Sequence, residues 1–429
     1  VQYIRAQTGK DNGTPRQAKS VEEKPGKKKK SGKKKPSKKQ LLEMQELAYE
    51  KDKKLLVKTY KLCCQTLQIS PDSELLEILS REPDTKRKES WLMDHVLCVS
   101  ALGAAGSRAF VSAIAGQWVL GSAPPGKVIS TGFSHLKSIE LRNTNLGEVG
   151  TSAIAGYLLS STSKSLEKLQ LIGAGIMEAG AHALGNALRF GYNRTLRELY
   201  IFCDKTVGDD GAVSLCRGIG TNSSLKSLSI IACGVQERGA GGIASVLGYT
   251  NSGIESLNIR GNEIGGAGLR KIAKALKSNK TLKFLNVANI GIYPSEIEPV
   301  FEFGESIIRC ESLNAVNFNY NPICDVAAEK LGRLFEEKSK ESTHLKQFVV
   351  HTDMPAHLFQ LISRNKSSKG KKGRKKKKRG GGADIPPILP DLYFALQWLK
   401  KIKEEETEAE KEEGKAKKGS KGKAKKPSK

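Results

Sequence analysis

A leucine-led pattern recurs along this chain about every thirty residues, and that period limits the possible folds more than any other feature. Its first positions are Leu136, Leu166, Leu196, Leu225, Ile254, Leu282 and Leu313, with Leu345 as an eighth, at intervals of 30, 30, 29, 29, 28, 31 and 32 residues. A unit this short cannot bury its own apolar face, so it must stack on its neighbours. Offsets +3, +5 and +10 from each first position are also apolar; in the unit starting at Ile254 they are Leu257, Ile259 and Ile264, with Asn262 at +8. Alternation at +3 and +5 describes a short strand with one face inward. The second half of the unit reads Gly-x-x-Gly followed by Ala, Leu and Ile at helical spacing, as in Gly147–Leu159, Gly180–Leu188 and Gly265–Leu276. The expected fold is therefore α/β, a solenoid with parallel strands on its concave face and helices on its convex face.

A divergent, capping first unit is expected at Leu92, Leu97 and Leu102-Gly103. These match Leu136, Leu141 and Leu146-Gly147 in spacing and put His95 where later units have Ile139, Leu169 and Leu199. The array then holds eight or nine units. Its pattern, L-x-x-L-x-L-x-x-N-x-L followed by G-x-x-G and a full helix, is nearly complete in residues 254–282. It resembles the leucine-rich-repeat proteins of the ribonuclease-inhibitor type, over about residues 91–350. The resemblance implies this fold and a binding role, without saying what is bound. It also implies that the +8 Asn fastens the turn after each strand. Thr144, Ala174, Asp204, Cys233 and Ile290 stand there in five units, whose turns should be satisfied differently or be looser.

The net charge of +27 belongs to the ends. Residues 1–40 hold 14 Lys/Arg and 3 acids, residues 364–382 hold 11 Lys/Arg and no acid, and residues 401–429 hold 11 Lys and 7 Glu. The expected organisation follows. Residues 1–37 form a disordered Lys-rich tail. Residues 38–90 form a helical segment with Leu41, Met44, Leu47, Leu55 and Leu62 as its apolar positions up to Gln68, then a short helix Ser73–Ser80 after Ser70-Pro71-Asp72. The solenoid runs over 91–363, a disordered basic linker over 364–383, an amphipathic helix over 384–406, and a disordered charged tail over 407–429. The helix at 384–406 carries Leu389, Leu392, Leu396 and Leu399 beside Tyr393, Phe394 and Trp398.

No apolar run approaches the ~18 residues of a membrane span, and no signal-peptide pattern stands at the start. The chain begins at Val1 without an initiator Met, so an incomplete N-terminus is expected. Eight cysteines without a C-x-x-C pair read as reduced, mostly buried thiols, and an intracellular protein is expected.

Little in the chain suggests chemistry. Gly121-Ser-Ala-Pro-Pro-Gly126-Lys127 has the G-x-x-x-x-G-K spacing of a phosphate loop, but Val128 follows where a Ser or Thr should reach magnesium. A helix-like segment precedes it and a strand-like one follows, the reverse of the required order, so an insertion between repeats is expected. Gly173-x-Gly175 recurs at the strand-to-helix turn, where glycine supplies positive φ. The six histidines show no metal-ligand spacing, and no nucleophile motif is present. No enzyme, cofactor, metal or small-molecule substrate is expected. Activators of the Ran GTPase share this repeat type, and Arg142 and Arg260 face the strand side, but the tails here are basic where those are acidic. Solvated arginines are the expectation, and a regulator of a Ran-type GTPase is the third reading of the function, after a protein-binding scaffold and an RNA-associated protein.

The concave face is more informative. Offsets +4 and +6 point away from the core. Ile172, Tyr200, Phe202 and Ile231 form an apolar patch there, continued by Asn258, Arg260, Asn286 and Asn317, and these eight are the expected contacts of a protein partner. A terminal segment of the same chain covering the patch is the alternative. Lys27, Lys28, Lys29, Lys30, Lys375, Lys376, Lys377 and Lys378 are the expected contacts of an acidic polymer. Acidic tubulin tails come first and RNA second; no membrane contact is expected. Arrays with lysine-rich tails look similar to components of ciliary axonemes, which makes cytoskeleton of a cilium or flagellum the favoured setting and nucleus or nucleolus the second.

Overall fold

The computed structural model describes residues 37–81, 94–120, 129, 132–250, 252–338, 343–351 and 355–365. Both lysine clusters, the loop Gly121–Lys127 and the segment 384–406 lie outside the described residues. The first element, α1 (Lys38–Thr66), is one continuous helix. Ser37 starts it reciprocally: its hydroxyl accepts from the Gln40 N–H at 3.2 Å while the Gln40 side chain accepts from the Ser37 N–H at 3.0 Å.

Of the apolar positions expected on α1, Leu55 and Leu62 are half-buried but the first three are not inward. Leu41, Met44 and Leu47 are exposed, and the buried stripe is Tyr49, Lys53, Leu56, Tyr60, Cys63 and Cys64. That stripe keeps helical spacing but uses Tyr and Cys as core residues, so a reading of leucines alone misses it. The Lys53 ammonium donates to the Arg81 carbonyl just past α2 (Ser73–Ser80), the short helix expected there. The Asp72 carboxylate caps the start of α2, accepting from the Leu75 N–H at 2.7 Å.

One sheet then runs in chain order: β1 (His95–Cys98), β2 (Ser138–Arg142), β3 (Lys168–Ile172), β4 (Glu198–Phe202), β5 (Ser227–Ile231), β6 (Ser256–Asn258), β7 (Phe284–Asn286), β8 (Ala315–Asn317), β9 (Gln347–Val349) and β10 (Arg364–Asn365). Among the described residues, β1 to β9 are parallel and β10 is antiparallel to β9. Between the parallel strands stand α3 (Gly103–Ala115), α4 (Gly147–Leu158), α5 (Met177–Leu188), α6 (Gly208–Ile219), α7 (Glu237–Gly248), α8 (Gly265–Leu276), α9 (Ile297–Arg309) and α10 (Asp325–Glu337); α11 (Ala356–Ile362) precedes β10. The +3 residues Ile139, Leu169, Leu199, Leu228, Leu257 and Leu285 pair in one buried row. Helices stack just as closely. A Cβ at Gly218 in α6 would fall 1.9 Å from the Gly185 carbonyl oxygen of α5, so only glycine permits that approach.

The first unit is in a different register from the expected one. Val96 pairs with Ile139 and Cys98 with Leu141, and both Val96 and Cys98 are fully buried, while His95 is exposed. Its strand-to-helix turn is one residue shorter than that of the next unit, which leucine spacing alone cannot detect. The far end also differs. Arg364 and Asn365, expected to open a disordered linker, pair with Phe348 and Gln347. The Arg364 guanidinium lies 4.6 Å from the Phe335 ring centroid and donates to the Phe335 carbonyl at 2.7 Å. The core beneath it is aromatic, with Phe303, Phe318 and Phe348 stacked at 5.6 and 6.1 Å.

Candidate binding surface

The sheet register sets the outward columns. Gln170, Tyr200, Ser229, Asn258, Asn286 and Asn317 are successive partners at +4. Ile172, Phe202 and Ile231 are successive partners at +6, and the Arg260 carbonyl continues the row by accepting from the Ala232 N–H at 3.0 Å. All eight expected contact residues therefore share one face.

Access along that face is uneven. Ile172, Tyr200, Phe202 and Asn258 are half-buried, whereas Ile231 and Arg260 are 9% exposed, Asn286 5% and Asn317 0%. Those last four are not presented as expected. The asparagines fold back: Asn258, Asn286 and Asn317 each accept, through Oδ1, the N–H two residues on, at 3.3, 3.1 and 3.1 Å. Ile231 stands in register between Phe202 and Arg260, two larger neighbours. Tyr200 is held from the side. Its hydroxyl donates to Glu198 Oε2 at 3.2 Å, and Lys168 Nζ sits 3.6 Å from the same carboxylate and 4.9 Å from the ring centroid.

The turns behind the strands are fastened in two ways. Asn262 accepts from the Cys233 N–H at 2.9 Å and the Val235 N–H at 3.2 Å, and donates to the Ile230 and Ile259 carbonyls at 2.7 and 2.8 Å. Asn321 does the same for Ile290, Val287 and Phe318. Where Asn is missing, Asp204 substitutes in part, accepting from the Ile176 N–H at 2.8 Å and the Thr206 hydroxyl at 2.5 Å. The buried Thr144 hydroxyl has no partner among the described residues.

A second asparagine row was not expected. Asn193, Asn222 and Asn279, three residues before Leu196, Leu225 and Leu282, donate to the Leu158, Leu188 and Leu247 carbonyls at 2.9, 2.6 and 2.8 Å. Each also accepts from the N–H groups two and three residues on. The residues were visible in the sequence, but they lie outside the leucine frame.

Gly173 and Gly175 adopt φ +55° and +70°, the left-handed turn expected of them. Asp72, Glu74 and Cys98 are the one group among the described residues whose ligand atoms lie within metal-binding distance of one another, 4.8 Å. Of these, Asp72 already accepts through Oδ1 from the start of α2, and burial pushes the Cys98 thiol up. Burial likewise pushes the thiols of Cys63, Cys203 and Cys216 up to about 12, which keeps them protonated and unreactive at neutral pH.

Two stretches, residues 192–216 and 250–273, match the family model described as Leucine Rich repeat. Ribonuclease inhibitor of Sus scrofa is 32% identical over 162 residues, covering 37% of this chain and 34% of that protein. The array is built of leucine-rich repeats of the ribonuclease-inhibitor type. Tropomodulin-4 of Bos taurus is 32% identical over 107 residues, 25% of this chain and 30% of that protein. The matches thus span about a third of these curated relatives' own lengths. Among solved structures, "Leiomodin-1 Actin-Binding Site 2 (ABS2)" is similar at 17% identity and a TM-score of 0.31, over 38% of this chain and 90% of that one, a likeness too loose to carry an argument. Within the leucine-rich-repeat array the two concave arginines are occupied. Arg142 pairs with the buried Glu140 two residues away while staying exposed, and Arg260 is 9% exposed. No described helix is long and apolar enough to cross a membrane.

Proposed function

We propose that this chain is a non-enzymatic scaffold that docks a protein partner on the concave face of its repeats, around Tyr200 and Phe202. Ile172, Tyr200 and Phe202 carry the reading: three large side chains on two adjacent strands, only partly buried, with Lys168 and Glu198 at their border. Ribonuclease inhibitor, by its name, acts on another protein, which agrees with such a role. The clusters Lys27–Lys30 and Lys375–Lys378 would tether the array to an acidic polymer, tubulin tails first and RNA second. One specific contact joined to such weak ones raises affinity through effective concentration. A cytoskeletal setting, in a cilium or flagellum, is part of the same proposal.

The test is affinity capture from a ciliated-cell extract with the full chain and with Tyr200→Ser/Phe202→Ser. The partner recovered by the parent is expected to be lost by the variant, with thermal melting showing that the variant is folded; undiminished capture overturns the concave reading. Removing residues 1–36 and 366–429 should abolish salt-sensitive binding to polymerised tubulin at about 0.15 M salt. Retention of RNA binding alone by the full chain would replace tubulin with RNA as the tether.

A further inference from the structure

The two edges of the array carry opposite charge. The segments leading from helix ends to strand starts (159–167, 189–197, 220–226, 249–255, 277–283 and 310–314) hold eight basic and three acidic residues. The segments leading from strand ends to helix starts (143–150, 173–180, 203–211, 232–240, 261–268, 289–298 and 319–328) hold ten acidic and two basic residues. The signs follow the helix dipole, which favours acids at N-termini and bases at C-termini. Charge alone would therefore be a property of the fold.

The basic edge adds a cluster of exposed apolar side chains. Phe190 is 72% exposed, and Leu159, Tyr192 and Tyr249 are each about half exposed. Three of them are brought together by one loop. The Phe190 N–H donates to Thr221 Oγ1 at 3.0 Å, and the adjoining Gly220 lies against the Tyr249 ring so closely that a Cβ there would be 2.6 Å from Cε2. The Arg189 guanidinium sits 5.2 Å from the centroid of the Tyr192 ring. The backbone beneath is pinned by the buried amides of Asn193 and Asn222, which hold the carbonyls just before Leu159 and Arg189. The backbone that carries these anchors is thus preorganised, which lowers the cost of binding.

We infer that this edge, from Leu159 to Tyr249, is a second docking surface, for an acidic peptide segment carrying bulky apolar residues. Lys164, Arg189, Arg194 and Arg197 stand on the same edge segments as Leu159, Phe190 and Tyr192, are exposed, and form no ion pair among the described residues. Farther along, Lys226 and Lys283 are both paired with Glu255, at 3.4 and 2.7 Å. Lys277 and Lys280 lie beyond the anchors, also exposed, but the unpaired charge nearest the apolar anchors is the group at 164–197. A polynucleotide gains by following a long basic stripe, which the paired Lys226 and Lys283 interrupt here, and Arg189 already covers one face of the Tyr192 ring, so a peptide fits better.

The test is fluorescence anisotropy of the full chain with two labelled Glu-rich peptides, one with two Phe and one with Ser in their place. Basic tails attract both alike, so the difference between them isolates the edge. The Phe peptide should bind about ten-fold more tightly. Phe190→Ser/Tyr249→Ser should erase that preference while leaving the Ser peptide unchanged, and Arg194→Glu should weaken the Phe peptide in an otherwise intact edge. The preference should persist in Tyr200→Ser/Phe202→Ser, which separates this surface from the concave one. Equal binding of both peptides by the parent, or a preference that survives the Phe190/Tyr249 change, overturns the inference. So does single-stranded RNA binding that falls with that change while neither peptide is preferred.

Discussion

Strands β2–β5 and strands β6–β8 are built from the same unit, yet the first group runs five residues each and the second three. The second group carries Asn at +4, and that side chain takes the N–H at +6. The preceding strand's carbonyl is then served by the turn asparagine, as Ile230 is by Asn262 and Val287 by Asn321. Hydrogen bonds that backbone supplies in one half are supplied by side chains in the other. The exchange also changes the surface, since an asparagine folded onto its own strand offers little to a partner. Tyr200 and Phe202 stand where that fastening is absent.

The largest test of this contrast is Asn262→Ala. It strands two buried N–H groups and two carbonyls and should cost about 3 kcal/mol, read as a lower urea midpoint. Asp204→Ala, in the other half, removes fewer partners and should cost about 1 to 2 kcal/mol. Equal losses would mean the halves are fastened alike. Next is the joint change of Asn258, Asn286 and Asn317 to Val. At about 1 kcal/mol per lost bond it is milder for each site, and a crystal structure should show β6–β8 lengthened to match β2–β5. Unchanged strands would make the asparagines a consequence of short strands and not their cause.

Glu255 sits at the junction of the halves, and the Lys283 and Lys226 ammonium groups hold its carboxyl below the usual carboxylate range. A depressed carboxyl stabilises the fold above its unfolded pKa, about 4.3, and that contribution is lost as pH falls through the lower folded value. The melting temperature of Glu255→Gln should therefore decline less than the parent's on acidification through that window; identical pH profiles would remove Glu255 from the account. The smallest effect is expected for Thr144→Val. Its buried hydroxyl has no partner among the described residues, so the change should be neutral or stabilise by up to about 1 kcal/mol. A clear loss of stability would show that this Asn-less turn is fastened after all.

Much of the fold could be read from leucine periodicity, because +3 and +5 must alternate inward in every unit. The concave columns followed for the same geometric reason. Register in the first unit did not, since Val96 and Cys98 fill places that leucine fills elsewhere. Nor did the inward face of α1, whose stripe is tyrosine, lysine and cysteine as much as leucine. Accessibility was the deeper loss. Whether Asn286 greets a partner or its own backbone depends on a rotamer, and residue type does not fix it. The asparagines at 193, 222 and 279 were legible in principle, as polar residues recurring just before an apolar frame.

The two residues of β10 have a consequence beyond their size. Parallel units add indefinitely in one direction, since each new strand offers the next a matching edge. A strand that runs antiparallel to β9 breaks that repetition, because the edge it occupies is no longer the one on which β1–β9 were added. Clamped by Arg364 on Phe335, it acts as the stop on a ruler.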